Sequence, residues 1–311
     1  MKPSQSPFVD LVTSANEPVK GTLSVIAVCV AIAAVSFFAP SAVNAFFDVL
    51  DLGFGWVGPF IMVVLVSALT GVLFIVAFPH VSAQGAIVAV KDRIKHNLLG
   101  IRIFQDDMPT VGKGVAGSMG WNFAYIGLNI LPMIVLAVPF MVVWFQLNAL
   151  YAYQPFEVGE RQMVVAELAT GVQAVDVQLQ ADAPLRVVNR ANLGDKLAFT
   201  LDMPLEGSHA ISMSLQGETV TKSIEVGTSP NRLARVRTSD PFGEFVAAHD
   251  PIVLFADPVL PTSSFVRTVT VPYASAPLGF LAGGEIDIML VFIVVSMAVG
   301  FGLKGVFGVE I

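Results

Sequence analysis

The sequence predicts a membrane protein: an α-helical bundle of four transmembrane helices with a cytoplasmic helical hairpin, plus an extracytoplasmic all-β domain of the Ig-like sandwich type. Three observations lead to this fold class: an apolar composition, four long runs without basic residues, and a β-rich segment between the last two runs. Of the 311 residues, 55% are hydrophobic and 13% are charged, whereas about a quarter of the residues in an ordinary soluble domain are charged. This balance indicates a chain in contact with lipid.

Four apolar runs have the length of membrane spans. They cover residues 22–39, 57–78, 123–147 and 286–303, and none of them contains Lys or Arg. A helix needs about 20 residues to cross roughly 30 Å of hydrocarbon. Because lipid offers the backbone no hydrogen-bond partners, each run is predicted to be a helix.

The distribution of basic residues predicts the orientation. Segment 79–121 contains five of them: Lys91, Arg93, Lys95, Arg102 and Lys113. The loop predicted at 40–56 has none, whereas Lys2 and Lys20 precede the first span and Lys304 follows the last. Basic residues in short loops mark the cytoplasmic side. The chain is therefore predicted to be a multi-pass protein of the plasma (inner) membrane, with both termini cytoplasmic and residues 151–285 extracytoplasmic.

These spans divide the chain into four predicted regions. Residues 1–56 hold the first span, 57–150 form a transmembrane hairpin around the loop 79–121, 151–285 form the β-domain, and 286–311 form the last span with its tail. The small residues Val43 and Ala45 also match a signal-peptidase site. Retention of the first span is predicted, and cleavage after Ala45 is the alternative.

The cytoplasmic loop carries helical periodicity. Its apolar positions are Ile87, Val90, Ile94, Leu98 and Ile101. Asp106 and Asp107 before Pro109 are typical of a helix cap and first turn. The loop is predicted to form a helical hairpin that runs into the third span, and a single amphipathic helix on the membrane surface is the alternative.

Outside the membrane, residues 156–275 predict seven or eight short strands. The predicted strands are 175–179, 197–201, 211–215, 220–226, 233–237, 252–255 and 265–271. Such a series is typical of an antiparallel sandwich. Between 151 and 285 the chain has 15 acidic and 9 basic residues, which argues against a nucleic-acid surface.

The sequence offers little for covalent chemistry. Cys29 is the only cysteine, four histidines are scattered, and metalloprotease, hydrolase and Walker motifs are absent. Residues 112–117 match G-x-G-x-x-G, but no strand precedes them, so a flexible or closely packed helical arm is predicted there. We expect no enzyme activity, no cofactor and no metal site.

Polar residues within the spans are the remaining candidates, because they need a partner or water in lipid. In the third span, Ser118, Asn122, Tyr125 and Asn129 fall on one helical face. The set predicted to line a hydrophilic, cytoplasm-facing groove is Ser67, Thr70, Asn122, Tyr125, Asn129 and Ser296. Hydrogen bonding between neighbouring helices is the alternative interpretation of the same residues.

The order span, basic hairpin, span, external segment, span resembles the YidC/Oxa-type membrane insertase superfamily, in particular its small archaeal and ER-membrane-complex-like branch. Similar stretches in bacterial proteins of this plan correspond here to 90–96, 104–107, 131–133 with 146–147, 155–160 and 305–311. The resemblance covers roughly residues 57–150 and 286–311. It implies insertion of short-tailed membrane proteins through a hydrophilic groove, without nucleotide.

Two functions are therefore predicted from different classes. The first is an insertase-like protein whose hairpin cations Lys91, Arg93, Lys95 and Arg102 collect substrates. The alternative is a membrane-anchored extracytoplasmic β-sandwich that acts as a binding or scaffold module. Membrane lipids, nascent membrane proteins and other membrane subunits are the expected partners, and a transporter subunit is a weaker third interpretation.

Overall fold

A computed structural model of the chain describes residues 22–227, 232–241, 243 and 257–309. Lys2 and Lys20 of the orientation argument, and the strand predicted at 252–255, lie outside the described residues. The chain divides into two compact units. The helical unit comprises Met1–Val35, Val64–Val142 and Ile293–Ile311, and the β unit comprises Ser36–Val63 and Val143–Phe292.

Three helices are long and apolar enough to cross a membrane, as expected of a multi-pass membrane protein. The principal helices are α1 (Thr22–Phe38), α2 (Pro40–Phe54), α3 (Pro59–Val81), α4 (Gln84–Ile103), α5 (Met108–Tyr151) and α6 (Glu285–Phe307). The three candidate spans are α3, α5 and α6. The predicted second, third and fourth apolar runs thus all lie in long helices.

The front of the chain differs from the prediction. The segment 40–56, predicted to be a loop, is mostly the helix α2, which starts with Pro40 in its first turn, where the missing N–H of proline is harmless. Helices α1 and α2 meet at a bend of 101° around Ala39, so they add a fourth span only if the bent pair is counted as one. With 17 residues, α1 alone rises about 26 Å, somewhat less than the ~30 Å hydrocarbon core.

The predicted β-rich region forms two antiparallel sheets. The strands are β1 (Arg161–Leu168), β2 (Gln178–Ala181), β3 (Arg186–Leu193), β4 (Lys196–Asp202), β5 (Gly207–Leu215), β6 (Glu218–Val226), β7 (Val236–Thr238) and β8 (Val266–Thr270). One sheet has the order β3-β4-β1-β8-β7 and the other β2-β5-β6. Val164, Leu197 and Val269 from the first sheet, with Ile211 and Ile224 from the second, are fully buried.

Most of the predicted strands are confirmed, and four elements differ from the prediction. Residues 174–176 form a 3-10 turn before β2, so the first two residues of the predicted strand 175–179 are not in a strand. Val175 is exposed there, although apolar and polar residues alternate through this stretch. The predicted strand 233–237 is reduced to β7. Strand β3 was not predicted because it lies at a sheet edge and carries almost no buried side chain, so the apolar alternation that marks a half-buried strand is missing. The central strand β1 was not predicted either, although buried and less buried residues alternate along its second half.

A buried lysine anchors the segments that follow β6. The Nζ atom of Lys222 donates hydrogen bonds to the Ala234 carbonyl at 2.6 Å and to Asp257 Oδ2 at 2.5 Å, and the side chain is 1% exposed. Burial lowers the pKa of Lys222, and the Asp257 carboxylate opposes that change. A buried charge persists only when it is paired in this way, so the contact fixes both segments against the strand.

Tyr273 gives the β unit a testable pH dependence. Its hydroxyl accepts a hydrogen bond from the Glu225 N–H at 2.9 Å, and its ring stacks on Phe156. Burial raises the pKa of Tyr273 above its ordinary value of 10.0. Above pH 10 the unfolded chain therefore loses this proton before the folded chain does, and the free energy of unfolding falls as the pH rises.

We expect Tyr273→Phe to lower the free energy of unfolding at pH 7 by about 1 kcal/mol, through loss of the hydrogen bond. Above pH 10 the variant should show a flatter decline than the wild type, because it has no phenol to titrate at this position. Chemical denaturation of the full chain in detergent between pH 7 and 11 measures both quantities. Parallel declines in the two proteins would contradict the assignment.

Candidate functional site

Helix α4 packs along the first part of α5, which is the hairpin that the sequence predicts. Ala86 and Val90 of α4 are buried against Trp121, Ala124 and Leu128 of α5. Helix α5 begins at Met108 as predicted, directly after Asp107, whose carboxylate accepts a hydrogen bond from the Thr110 hydroxyl. The helical arms are therefore held together by apolar contacts along one face of each.

The G-x-G-x-x-G match serves this packing. A Cβ atom added to Gly114 would lie 2.7 Å from Ile101 Cγ1, and one added to Gly117 would lie 2.8 Å from Asn97 Nδ2. Both glycines are inside helix α5, so their role is close approach to α4 and not the cradling of a phosphate. The prediction of a closely packed helical arm is confirmed.

Two of the predicted hairpin cations lie over aromatic rings of α5. The Arg93 guanidinium is 4.5 Å from the centroid of the Trp121 ring, and Lys91 Nζ is 5.9 Å from that of Tyr125. Contacts of this kind are favourable by about 0.5–1 kcal/mol at exposed sites. Lys95 forms an exposed ion pair with Asp92, and Arg102 is exposed near the end of α4. The fold thus brings Lys91 and Arg93 to α5, while the other two cations lie on the exterior of the hairpin.

The polar residues of α5 adjoin this cationic contact. Asn122 Nδ2 donates to the Ser118 carbonyl at 2.9 Å, and Asn129 Nδ2 donates to the Tyr125 carbonyl at 2.8 Å. Each amide therefore engages one of its two N–H groups within the helix, and no hydrogen bond to its Oδ1 is found among the described residues. Tyr125 belongs both to this polar face and to the surface packed against α4. A strip that carries cations, rings and amides consequently runs along one side of the hairpin and α5.

The remaining predicted site residues lie at a contact between α3 and α6. The Ser296 hydroxyl donates to the Ser67 carbonyl at 2.9 Å, and both serines are buried. The Thr70 hydroxyl donates to the Val66 carbonyl of its own helix. These bonds are what the interhelical interpretation predicts for the serines, and lining of a groove by the six residues stays a prediction.

Gly71 makes this helix contact possible. A Cβ atom added to it would lie 2.5 Å from the backbone oxygen of Ser296. Small residues at such crossings let transmembrane helices approach closely. Helices α3 and α6 are therefore packed backbone against backbone at this level.

We expect Gly71→Ala to lower the free energy of unfolding by about 1–3 kcal/mol, since the helices must separate to admit the methyl group. The matched control is Gly302→Ala in α6, where an added Cβ meets nothing within 4 Å. That control should be neutral or stabilising by up to about 1 kcal/mol through helix propensity. Thermal unfolding in detergent compares the two variants, and equal midpoints would contradict the close packing.

A second polar cluster was not predicted from the sequence. In the β unit, Arg232 Nε and Nη2 lie 3.0 and 2.9 Å from Asp48 Oδ1. Its Nη2 donates to the Asn44 carbonyl at 2.9 Å, and its Nη1 donates to Gln146 Oε1. We call Arg232 with Asn44, Asp48 and Gln146 the Arg232 cluster. The arginine side chain is 9% exposed, so helix α2, the end of α5 and the chain before β7 are joined by a largely buried cation.

Two tyrosines form further hydrogen bonds in the β unit. The Tyr151 hydroxyl donates to Asp51 of α2, and the Tyr153 hydroxyl donates to Glu285 at the start of α6. Arg235 Nη1 donates to the Tyr153 hydroxyl at 3.0 Å. Burial raises the pKa of Tyr153, which keeps the phenol protonated as the donor. The carboxylates of Asp51 and Glu285 are thereby held by hydrogen bonds.

Within the described residues, no group of three or more His, Cys, Asp or Glu side chains is arranged to hold a metal ion. Cys29 is buried in the apolar cluster of the helical unit with Ile75, Phe78 and Leu136. Comparisons with family models, with curated proteins and with solved structures found no match.

Proposed function

We propose that this chain is an insertase-like protein of the plasma membrane that receives the polar flank of a short-tailed membrane segment. The observation that carries the proposal is the placement of Lys91 and Arg93 over Tyr125 and Trp121, beside the amides of Asn122 and Asn129 on α5. Cations at the hairpin and amides along an apolar helix form one continuous polar strip. Such a strip is expensive in lipid, and polar residues kept at this depth usually mark a path or a partner.

The physical work proposed for the strip is to lower an apolar barrier. A polar flank that enters hydrocarbon loses its water, at a cost of several kcal/mol for each unpaired polar group. The Oδ1 atoms of Asn122 and Asn129, with water held between them, supply hydrogen-bond partners over part of that distance. The exposed cations Lys95 and Arg102 attract acidic chain segments or anionic headgroups before entry. No nucleotide and no covalent step is required.

The finer architecture belongs to the same proposal. We propose that α1 is the fourth membrane span, that α4 and the part of α5 up to residue 121 form the cytoplasmic hairpin, and that the two sheets form an Ig-like sandwich outside the membrane. The basic residues at 91–113 support this orientation. Because Ser67 and Ser296 bond to each other, the strip on α5 carries the greater part of the proposed groove.

Reconstitution tests the function. The purified full chain in liposomes is expected to promote insertion of a single-span protein with a short translocated tail, in the absence of ATP and GTP. Empty liposomes and liposomes with the heat-denatured protein are the controls. Insertion at the level of empty liposomes, by a chain shown to be folded in the same vesicles, would overturn the proposal.

The second candidate is a scaffold module, and the Arg232 cluster favours it. A β unit in which a largely buried arginine joins helix α2, the end of α5 and the chain before β7 presents any binding surface at a fixed position. Replacement of residues 156–275 by a short Gly-Ser linker distinguishes the two candidates. Insertion that survives the replacement supports the insertase-like function, whereas loss of a co-purified partner without an insertion defect supports the scaffold.

A further inference from the structure

Helix α2 has two chemically distinct faces. Asn44, Asp48 and Asp51 recur at spacings of four and three, and all three are engaged by the β unit through Arg232, Gln146 and Tyr151. The opposite face continues into the following 3-10 turn. We call it the interfacial face, and it consists of Phe46, Val49, Leu52 and Trp56.

The interfacial face is apolar and uncovered. Its four side chains are between 61% and 87% exposed. Monomeric proteins in water seldom expose a contiguous patch of large apolar residues, and such patches mark contacts with a partner or a membrane. No Lys or Arg is present between 40 and 56, so the patch lacks the cations that an acidic partner would need.

We infer that the interfacial face binds the headgroup–acyl boundary of a phospholipid bilayer, with α2 lying along the membrane surface. Continuity with the apolar helices selects this occupant. Helix α2 follows the apolar α1 after one residue and precedes α3 after four. The first residues of α3 and α6 and the last residues of α5 belong to the β unit together with α2. The ends of all three candidate spans are thus in the unit that exposes this face.

Aromatic residues of the β unit support the same position at the headgroup–acyl boundary. Trp56 and Phe280 are each 83% exposed, and Phe280 packs edge-on against Phe60 in the first turn of α3. Gly279, with φ +62° and only 3.0 Å of room for a Cβ against Phe60, turns the chain so that Phe280 projects outward. Trp is enriched where hydrocarbon meets headgroups, and Phe is common on the apolar faces of elements that lie in this boundary.

The polar face of α2 determines which lipid is bound. Both carboxylates are turned to Arg232 and Tyr151, so no acidic group on the interfacial face repels a headgroup and no basic group attracts one. Binding is consequently driven by apolar burial alone. It should be equal in zwitterionic and anionic bilayers and insensitive to salt, unlike that of basic amphipathic helices.

Site-directed spin labelling of the full chain tests the inference. Because Cys29 is the only cysteine, a Cys29→Ala background accepts single labels through Phe46→Cys, Val49→Cys and Leu52→Cys. Collision with oxygen and with a water-soluble nickel chelate reports depth in phosphatidylcholine vesicles. The controls are Leu69→Cys on the exposed side of α3 and Val175→Cys on the β unit.

The three α2 labels are expected at one shallow depth, between those of the two controls, with the same values after addition of phosphatidylglycerol or 1 M salt (about a 3 Å Debye length). A spanning helix would instead give a gradient of about 9 Å from 46 to 52. That gradient would overturn the inference. So would an accessibility to the nickel chelate as high as that of the label at Val175→Cys, or exclusion of both reagents by a protein partner or a second copy.

A native probe covers the case in which a label prevents folding. With Trp121→Phe and Trp144→Phe, Trp56 is the only tryptophan. Its fluorescence should be quenched most by lipids brominated near the headgroup. Stronger quenching by deep bromines, or none, would contradict the interfacial position.

Discussion

Arg232→Ala is expected to lower the free energy of unfolding of the β unit by about 2–4 kcal/mol. The substitution removes hydrogen bonds to Asp48, to Gln146 and to the Asn44 carbonyl from a side chain that is 9% exposed. A hydrogen bond to a charged group contributes about 1.5–3 kcal/mol, and loss of one partner of a buried pair costs about 3–5 kcal/mol. The lower range applies here because Asp48 is 53% exposed, so water takes over part of its solvation.

Arg267→Ala is the matched control, since Arg267 is an exposed arginine of the same β unit. Its effect should stay within about 0.5 kcal/mol. Denaturant titrations of the full chain in detergent give both values, and a double-mutant cycle with Asp48→Ala isolates the pairwise contribution. Equal stability of the two arginine variants would show that the Arg232 cluster does not hold α2.

The combined variant Asn122→Leu and Asn129→Leu is expected to abolish the insertion activity proposed above. Leucine has the same branched arrangement of side-chain heavy atoms as asparagine but offers no hydrogen-bond acceptor, so the polar strip would lose both of its amides. The side-chain bonds that are lost run to carbonyls of α5 itself, and these carbonyls keep their helical partners. Folding should therefore survive while activity falls to the level of empty liposomes.

The control for this variant lies on the same helix. Phe123 and Ile130 are exposed apolar residues of α5, and Phe123→Leu with Ile130→Leu leaves the polar strip intact. Insertion by the control should equal that of the wild type. Full activity of the asparagine variant, or equal losses in both, would remove the strip from the mechanism.

Hydropathy was sufficient to predict the long helices, because lipid forces any apolar run of that length to satisfy its own backbone. The loop predicted at 40–56 was wrong for a different reason. Asp48, Asp51 and two glycines are typical of a loop, and the alternation of Asn44, Asp48 and Asp51 with Phe46, Val49 and Leu52 was the available signal of an amphipathic helix.

The candidate site was predictable only where its residues share one element. The spacing of Asn122, Tyr125 and Asn129 alone placed them on one face of α5. Arg232 and Asp48 are 184 residues apart, and no local pattern links them. Ser67 and Ser296 show the same limit: hydropathy placed both in spans, but only the close approach at Gly71 explains their hydrogen bond.

The Arg232 cluster also bears on the amino-terminal segment. Cleavage after Ala45 would remove Asn44, which accepts from Arg232 and from Gln146, together with the first turn of α2. We therefore expect amino-terminal sequencing of the mature protein to find the first apolar helix retained. A mature chain that starts at Phe46 would contradict this expectation.

Site-specific photocrosslinking tests the proposed insertion path most directly. A photoreactive amino acid is placed at position 122 or 129 of α5, or at the exposed apolar positions 123 and 130. Each protein is then presented with a stalled nascent chain that carries a short-tailed membrane segment. Strong crosslinks to the nascent chain from 122 and 129, and weak ones from 123 and 130, are predicted. Crosslinks that are absent from 122 and 129, or equal at all four positions, would contradict an insertion path along the polar strip.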